Sequence, residues 1–259
     1  MSVQIDPRID PRLVRVAKVL SFNNDAQLGN ATAFFFLRDD YLFLVTNRHV
    51  VRDEASGLYP NRLQVQVHVD PDDLTAHGEL WLDLVDPEGN HRWREHPTLG
   101  AEADVVAIPI NDPTVIASWH VDTFGPDDLM DETRALPLGQ EVIVVGFPLG
   151  FEDTVHRLPL IRRATIASVY PLPFKGDRYF VTDARLHRGS SGSPVVAKVF
   201  DMATENTQWK LLGVHSASLD VSNRDPSQDE KLGLNMTWYA SLLMELTESA
   251  TPNATPTGG

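Results

Sequence analysis

Short apolar or alternating runs, separated by turn-forming residues, limit this chain to an all-β fold. Leu13–Leu20, Ala31–Leu37, Tyr41–Thr46, Leu63–Val69, Leu80–Val85 and Asp104–Ile110 read as strands. Leu63, Val65, Val67 and Val69 alternate with Gln64, Gln66 and His68, which gives one apolar and one polar face. Alternation of this kind suits a barrel wall. From Asp112 to about Gln140 the chain is richer in Pro, Asp and Gly and reads as a connection. A second series follows: Glu141–Phe147, Leu160–Tyr170, Tyr179–Asp183, Pro194–Val199, Gln208–Ser216 and Leu232–Trp238. Tyr239–Glu248 predicts a terminal helix. The Thr-, Pro-, Ala- and Gly-rich stretch Ser249–Gly259 predicts a disordered tail. The expected organisation is a barrel over residues 1–122, a linker over 123–140, a second barrel with its helix over 141–248, and a tail over 249–259.

Composition removes several function classes. A net charge of −14 opposes a nucleic-acid backbone as partner, so none is expected. Cysteine is absent, which excludes disulfides, thiolate metal sites and cysteine nucleophiles. The histidines are scattered without metal-ligand spacing, and neither a metal nor a cofactor is expected. No apolar run approaches the roughly 18–20 residues of a membrane span. The stretch Met1–Arg8 lacks the basic-then-apolar layout of a signal peptide, so a cytoplasmic location is expected.

Chemistry enters with Arg188-Gly189-Ser190-Ser191-Gly192-Ser193-Pro194. A serine in a G-x-S-G-x-P frame suits a nucleophile on a tight turn. Gly189 permits backbone conformations that a side chain forbids, and its N–H with that of Ser191 can point at one developing oxyanion. A serine needs a base to take its proton. His49, in Val45-Thr46-Asn47-Arg48-His49-Val50-Val51, and Asp104, in Ala103-Asp104-Val105-Val106, supply a base and its carboxylate. The order His49, Asp104, Ser191 differs from that of α/β-hydrolases and of subtilisin-type enzymes. The α/β-hydrolase elbow also needs a glycine where this chain has Ser193.

These segments resemble the chymotrypsin-like serine proteases, and most closely the protease domain of the HtrA (Deg) family. The resemblance runs from about Gly29 to about Leu243. Besides the segments above it includes Val144-Val145-Gly146-Phe147-Pro148-Leu149-Gly150, Thr182-Asp183-Ala184 and Leu212-Gly213-Val214-His215-Ser216-Ala217. It implies a chymotrypsin-like double β-barrel with a C-terminal helix and a site in the cleft between the barrels. Ser191 would be the nucleophile, His49 the base and Asp104 its orienting acid. The oxyanion hole would use the turn Gly189, Ser190, Ser191. No PDZ domain is expected after the terminal helix.

The resemblance implies an S1 pocket lined by Arg185, Leu186 and His187 on one side and Val214, His215, Ser216 and Ala217 on the other. Leu186 stands where HtrA-type enzymes place an apolar residue, which favours small or medium apolar side chains. His215 stands where glutamyl endopeptidases place a histidine that reads Glu. Both readings stay open. Trypsin-like specificity is disfavoured, because Arg185 stands near the pocket where trypsin has an aspartate. The expected activity is serine endopeptidase, with protein or peptide substrates. The alternatives are a catalytically silent peptide-binding scaffold of the same fold and an esterase or other acyl transferase. Oligomeric state is not legible.

Overall fold

In a computed structural model the described residues are 10–70, 72–110, 122–201, 205–220 and 232–248. The expected tail at 249–259 lies outside them. The first half of the chain gives β1 (Val16–Asn23), β2 (Ala26–Arg38), β3 (Tyr41–Thr46), β4 (Arg62–His68), β5 (His77–Asp83) and β6 (Val106–Ile110). They form an antiparallel six-stranded sheet in the order β5-β4-β1-β2-β3-β6. The second half gives β7 (Glu141–Gly146), β8 (Leu160–Ile166), β9 (Tyr179–Asp183), β10 (Pro194–Asp201), β11 (Asn206–Ser218) and β12 (Leu234–Tyr239). These close into a barrel in the order β10-β11-β12-β9-β8-β7. The fold is all-β and of the chymotrypsin-like double-barrel type. The helices are short: α1 (Arg48–Val51) follows β3, and α2 (Leu242–Leu246) follows β12. The helix expected over 239–248 is shorter than its sequence suggests. Tyr239 still pairs with Gly213 in the barrel, and Thr247 closes the last turn on the Leu243 carbonyl.

Three apolar cores explain the strand sequences. Val19, Ala33, Phe35, Leu44, Leu63, Val65 and Ile108 fill the first sheet. Val142, Val144, Phe180, Val195, Ala197, Leu212 and Tyr239 fill the closed barrel. Val16, Phe34, Phe36, Val45, Val145, Phe147, Val196, Val214, Trp238 and Leu242 form the layer between them. Consecutive residues of a strand point to opposite faces. A strand with one face in its own sheet's core and the other in the intervening layer is therefore apolar throughout. That is why Ala33-Phe34-Phe35-Phe36 does not alternate, whereas β4 does, with Leu63 and Val65 fully buried. Full burial of a side chain of this size contributes about 1.5–3 kcal/mol.

The stretch 124–130 bonds to both sheets. The Phe124 N–H donates to the Phe35 carbonyl, and the Leu37 N–H donates to the Phe124 carbonyl. The Met130 N–H donates to the Leu211 carbonyl in the barrel. Arg15 pairs with Asp122 at 2.8 Å and with Asp128 at 3.3 Å. Among the described residues, no helix is long and apolar enough to cross a membrane.

Candidate active site

Antiparallel pairing of β3 with β6 sets Thr46 opposite Val106. The residues just after β3 and just before β6 therefore leave the sheet at the same end. This brings His49 and Asp104 together. Val50 and Val51, on the turn of α1, pack into the first core and anchor the histidine from beneath. The Asn47 amide donates to the Asp104 carbonyl at 2.7 Å and ties the two segments directly.

The Asp104 carboxylate faces three donors. Oδ1 accepts the His49 main-chain N–H at 2.9 Å. Oδ2 lies 2.7 Å from His49 Nδ1 and accepts the Ser216 hydroxyl at 2.6 Å. A carboxylate so placed holds the proton on Nδ1 and leaves Nε2 with its lone pair free. Burial works against a charged His49, but the hydrogen bond and negative charge of Asp104 outweigh it, with Asp53 adding a smaller pull. The His49 pKa therefore lies above its usual 6.5.

Ser191 lies on the turn from β9 to β10. The Gly192 N–H donates to the His215 carbonyl and the His215 N–H to the Ser193 carbonyl, so the turn is continuous with the barrel edge. Gly189 has φ +88° and Gly192 φ +84°. A Cβ on Gly189 would lie 2.4 Å from Asn30 Oδ1 and 2.5 Å from the Phe147 carbonyl. Only glycine fits there, by conformation and by space. The Arg188 carbonyl accepts the Leu149 N–H, and the Ser190 carbonyl accepts the Ser193 N–H. In a trans peptide the N–H points away from its carbonyl. The N–H groups of Gly189 and Ser191 are thus turned from these anchors, and neither donates to a protein acceptor among the described residues. The Ser191 hydroxyl donates to the Ser216 carbonyl at 3.3 Å. Ser190 is buried, with its N–H on the His187 carbonyl.

The residues expected to line a pocket fall into different environments. Arg185, His187 and Ala217 are exposed, and Leu186 is partly buried against the barrel core. Val214 is fully buried in the layer between the sheets. Ser216 gives its hydroxyl to Asp104. His215 is 3% exposed, and its Nδ1 has no partner among the described residues. Burial, together with the nearby His49 and against the pull of Asp104, pushes its pKa down to about 4. It is neutral at pH 7.

Sequence reasoning missed Thr32 and Thr46. Both are fully buried, and each hydroxyl makes a hydrogen bond between chain segments. The only local signal is a hydroxyl residue inside or at the end of an otherwise apolar run.

A family model described as the trypsin-like peptidase domain matches residues 31–199. A direct search of curated proteins finds no match. Among solved structures, the crystal structure of the serine endoprotease from Yersinia pestis superposes with a TM-score of 0.51 at 14% identity. That alignment covers 90% of this chain and 61% of the Yersinia chain, so this chain spans under two thirds of that protein. An inactive mutant of a protein from M. tuberculosis H37Rv aligns with a TM-score of 0.49 at 17% identity, covering 92% of this chain and 90% of that one. At 14% identity the likeness to the Yersinia structure speaks to fold alone.

Proposed function

Because the chain belongs to the trypsin-like peptidase domain family, we propose that it is a serine endopeptidase working through His49, Asp104 and Ser191. One observation carries the reading: the 2.7 Å contact of His49 Nδ1 with Asp104, whose carboxylate also accepts the hydroxyl of Ser216, the residue whose carbonyl takes the Ser191 hydroxyl. Ser191 Oγ attacks the scissile carbonyl carbon while His49 Nε2 takes the hydroxyl proton. The carbonyl oxygen becomes an oxyanion, received by the Gly189 and Ser191 N–H groups. The C–N bond breaks as His49 passes the proton to the leaving amine. Water then attacks the acyl-enzyme, with His49 again as base, and the acid product leaves with Ser191 restored. Asp104 keeps the tautomer and stabilises the imidazolium. The Ser191 hydroxyl, which now donates to the Ser216 carbonyl, must turn to His49 before attack.

The substrates are protein or peptide chains. A fluorophosphonate probe should label Ser191 in the wild type and not in His49→Ala. Absence of both labelling and peptide turnover would favour the silent scaffold, in which the Ser191 hydroxyl stays on the Ser216 carbonyl.

A further inference from the structure

We infer that Thr32 is a positioning residue for the oxyanion turn. The inference rests on the proposed roles of Ser191 and of the Gly189 and Ser191 N–H groups. Thr32 sits in β2 of the first sheet, 0% exposed, packed directly against the turn carried by the second half of the chain. Every polar group it has is used. Its N–H donates to the Ser191 carbonyl at 2.9 Å. Its hydroxyl donates to the Gly189 carbonyl at 2.8 Å and accepts the Phe147 N–H at 3.0 Å. Its carbonyl accepts the Thr46 hydroxyl at 2.8 Å.

The directions follow from the partners. Phe147 can only donate, so the Thr32 oxygen accepts there and its proton points to Gly189. The Gly189 carbonyl belongs to the peptide between the proposed hole donors. The Ser191 carbonyl lies just beyond the second. Thr32 therefore pins the turn on both sides of Ser190. Such pinning matters at Gly189, where the absence of a side chain removes most steric resistance to a peptide flip. A flip of the adjoining Arg188–Gly189 peptide would replace the Gly189 donor with a carbonyl. The Thr46 hydroxyl extends the chain of bonds to the end of β3, next to the segment that carries His49. One line of hydroxyls thus connects the histidine wall with the turn on the opposite half. Gly192 fits the same clamp, since a Cβ there would lie 2.1 Å from the Thr32 carbonyl.

The test uses the full chain and a fluorogenic peptide substrate. Thr32→Val keeps the shape and removes the hydroxyl. It should lower kcat about 10- to 100-fold, part of what loss of a whole oxyanion donor brings, with KM within about twofold. Inhibition by a peptide aldehyde, whose adduct oxygen must enter the hole, should weaken in parallel. Thr32→Ser should restore kcat to within about threefold of wild type. Leu63→Ala, which loosens the first core away from the turn, should lower the melting temperature while the folded enzyme keeps its kcat. If Thr32→Val does not fold, Thr32→Ala takes its place under the same requirement. Undiminished kcat in the hydroxyl-free variant, or a Thr32→Ser as impaired as it, overturns the inference. Ser191→Ala is run beside them. A fully active Ser191→Ala would overturn the underlying proposal, whereas an inactive one beside an unimpaired Thr32→Val would overturn the positioning role alone.

Discussion

The Ser191 hydroxyl donates to the main-chain carbonyl of Ser216 at 3.3 Å, while the Ser216 side chain donates to Asp104 at 2.6 Å. Ser216 thus touches the proposed nucleophile with its backbone and the proposed acid with its hydroxyl. A bond of 3.3 Å to a neutral carbonyl is long and weak. It leaves Ser191 free to turn toward His49 when a substrate carbonyl arrives.

On the proposed mechanism, Ser191→Ala should lower peptide turnover by several orders of magnitude and leave the fold intact, because the members of a catalytic triad act as a unit. Ser190→Ala should be far milder, since Ser190 is buried beneath the turn. Steady-state rates with matched circular dichroism check this. An inactive Ser190→Ala beside an active Ser191→Ala would move the nucleophile to Ser190.

On the proposed mechanism, the pH profile follows from His49 as the base. The base must be neutral to accept a proton, and its pKa is raised above 6.5. On acidification kcat/KM should fall through a midpoint above 6.5. Asp104→Asn should shift that midpoint down and lower kcat by about 10⁴-fold, through loss of the productive tautomer. A midpoint that stays in place in Asp104→Asn would detach the aspartate from the base. The raised His49 contributes stability at pH values below its unfolded value, and that contribution is lost as pH rises through the folded one. His215 acts oppositely. Its folded pKa of about 4 lies below the usual 6.5, so the unfolded chain binds the extra proton and stability is lost as pH falls from 6.5 toward 4.

Gly189→Ala should abolish activity more completely than it disturbs folding. The new Cβ would meet Asn30 Oδ1 and the Phe147 carbonyl at a φ of +88°, so the turn must move. Loss of one oxyanion donor corresponds to about 3–4 kcal/mol of barrier. Turnover should fall at least about 100-fold, with aldehyde inhibition weakened alongside. Wild-type kcat in this variant would place the hole elsewhere.

On the proposed reading, specificity would rest on Leu186 and His215. Ser216 has committed its hydroxyl to Asp104, and His215 is neutral, so a glutamate side chain meets little positive charge from either. Apolar residues before the scissile bond should be cut best, with Glu or Gln next and Arg or Lys poorly, because the proposed pocket includes Arg185. A peptide library varied at that position, read with wild type and His215→Ala, measures this. Strong Arg or Lys cleavage would reverse the assignment. Glu cleavage that exceeds apolar cleavage and disappears in His215→Ala would make His215 the reader.

Local patterns carried most of the fold. Tyr41–Thr46 and Tyr179–Asp183 were legible to the residue, because alternation or a bounded apolar run is a property of neighbours in sequence. The turn that holds Ser191 was legible for a similar reason: its glycines are required by local backbone conformation. What sequence could not supply is which of two cores a face enters. Phe34 and Phe35 are equally apolar, yet one packs between the sheets and the other inside the first. Tertiary structure alone decided that Val214 faces the intervening layer, that Ser216 serves Asp104, and that Thr32 reaches Gly189, 157 residues away in sequence. A hydrogen bond between distant segments leaves no periodic trace in either, since it depends on two surfaces meeting and not on the neighbours of either residue.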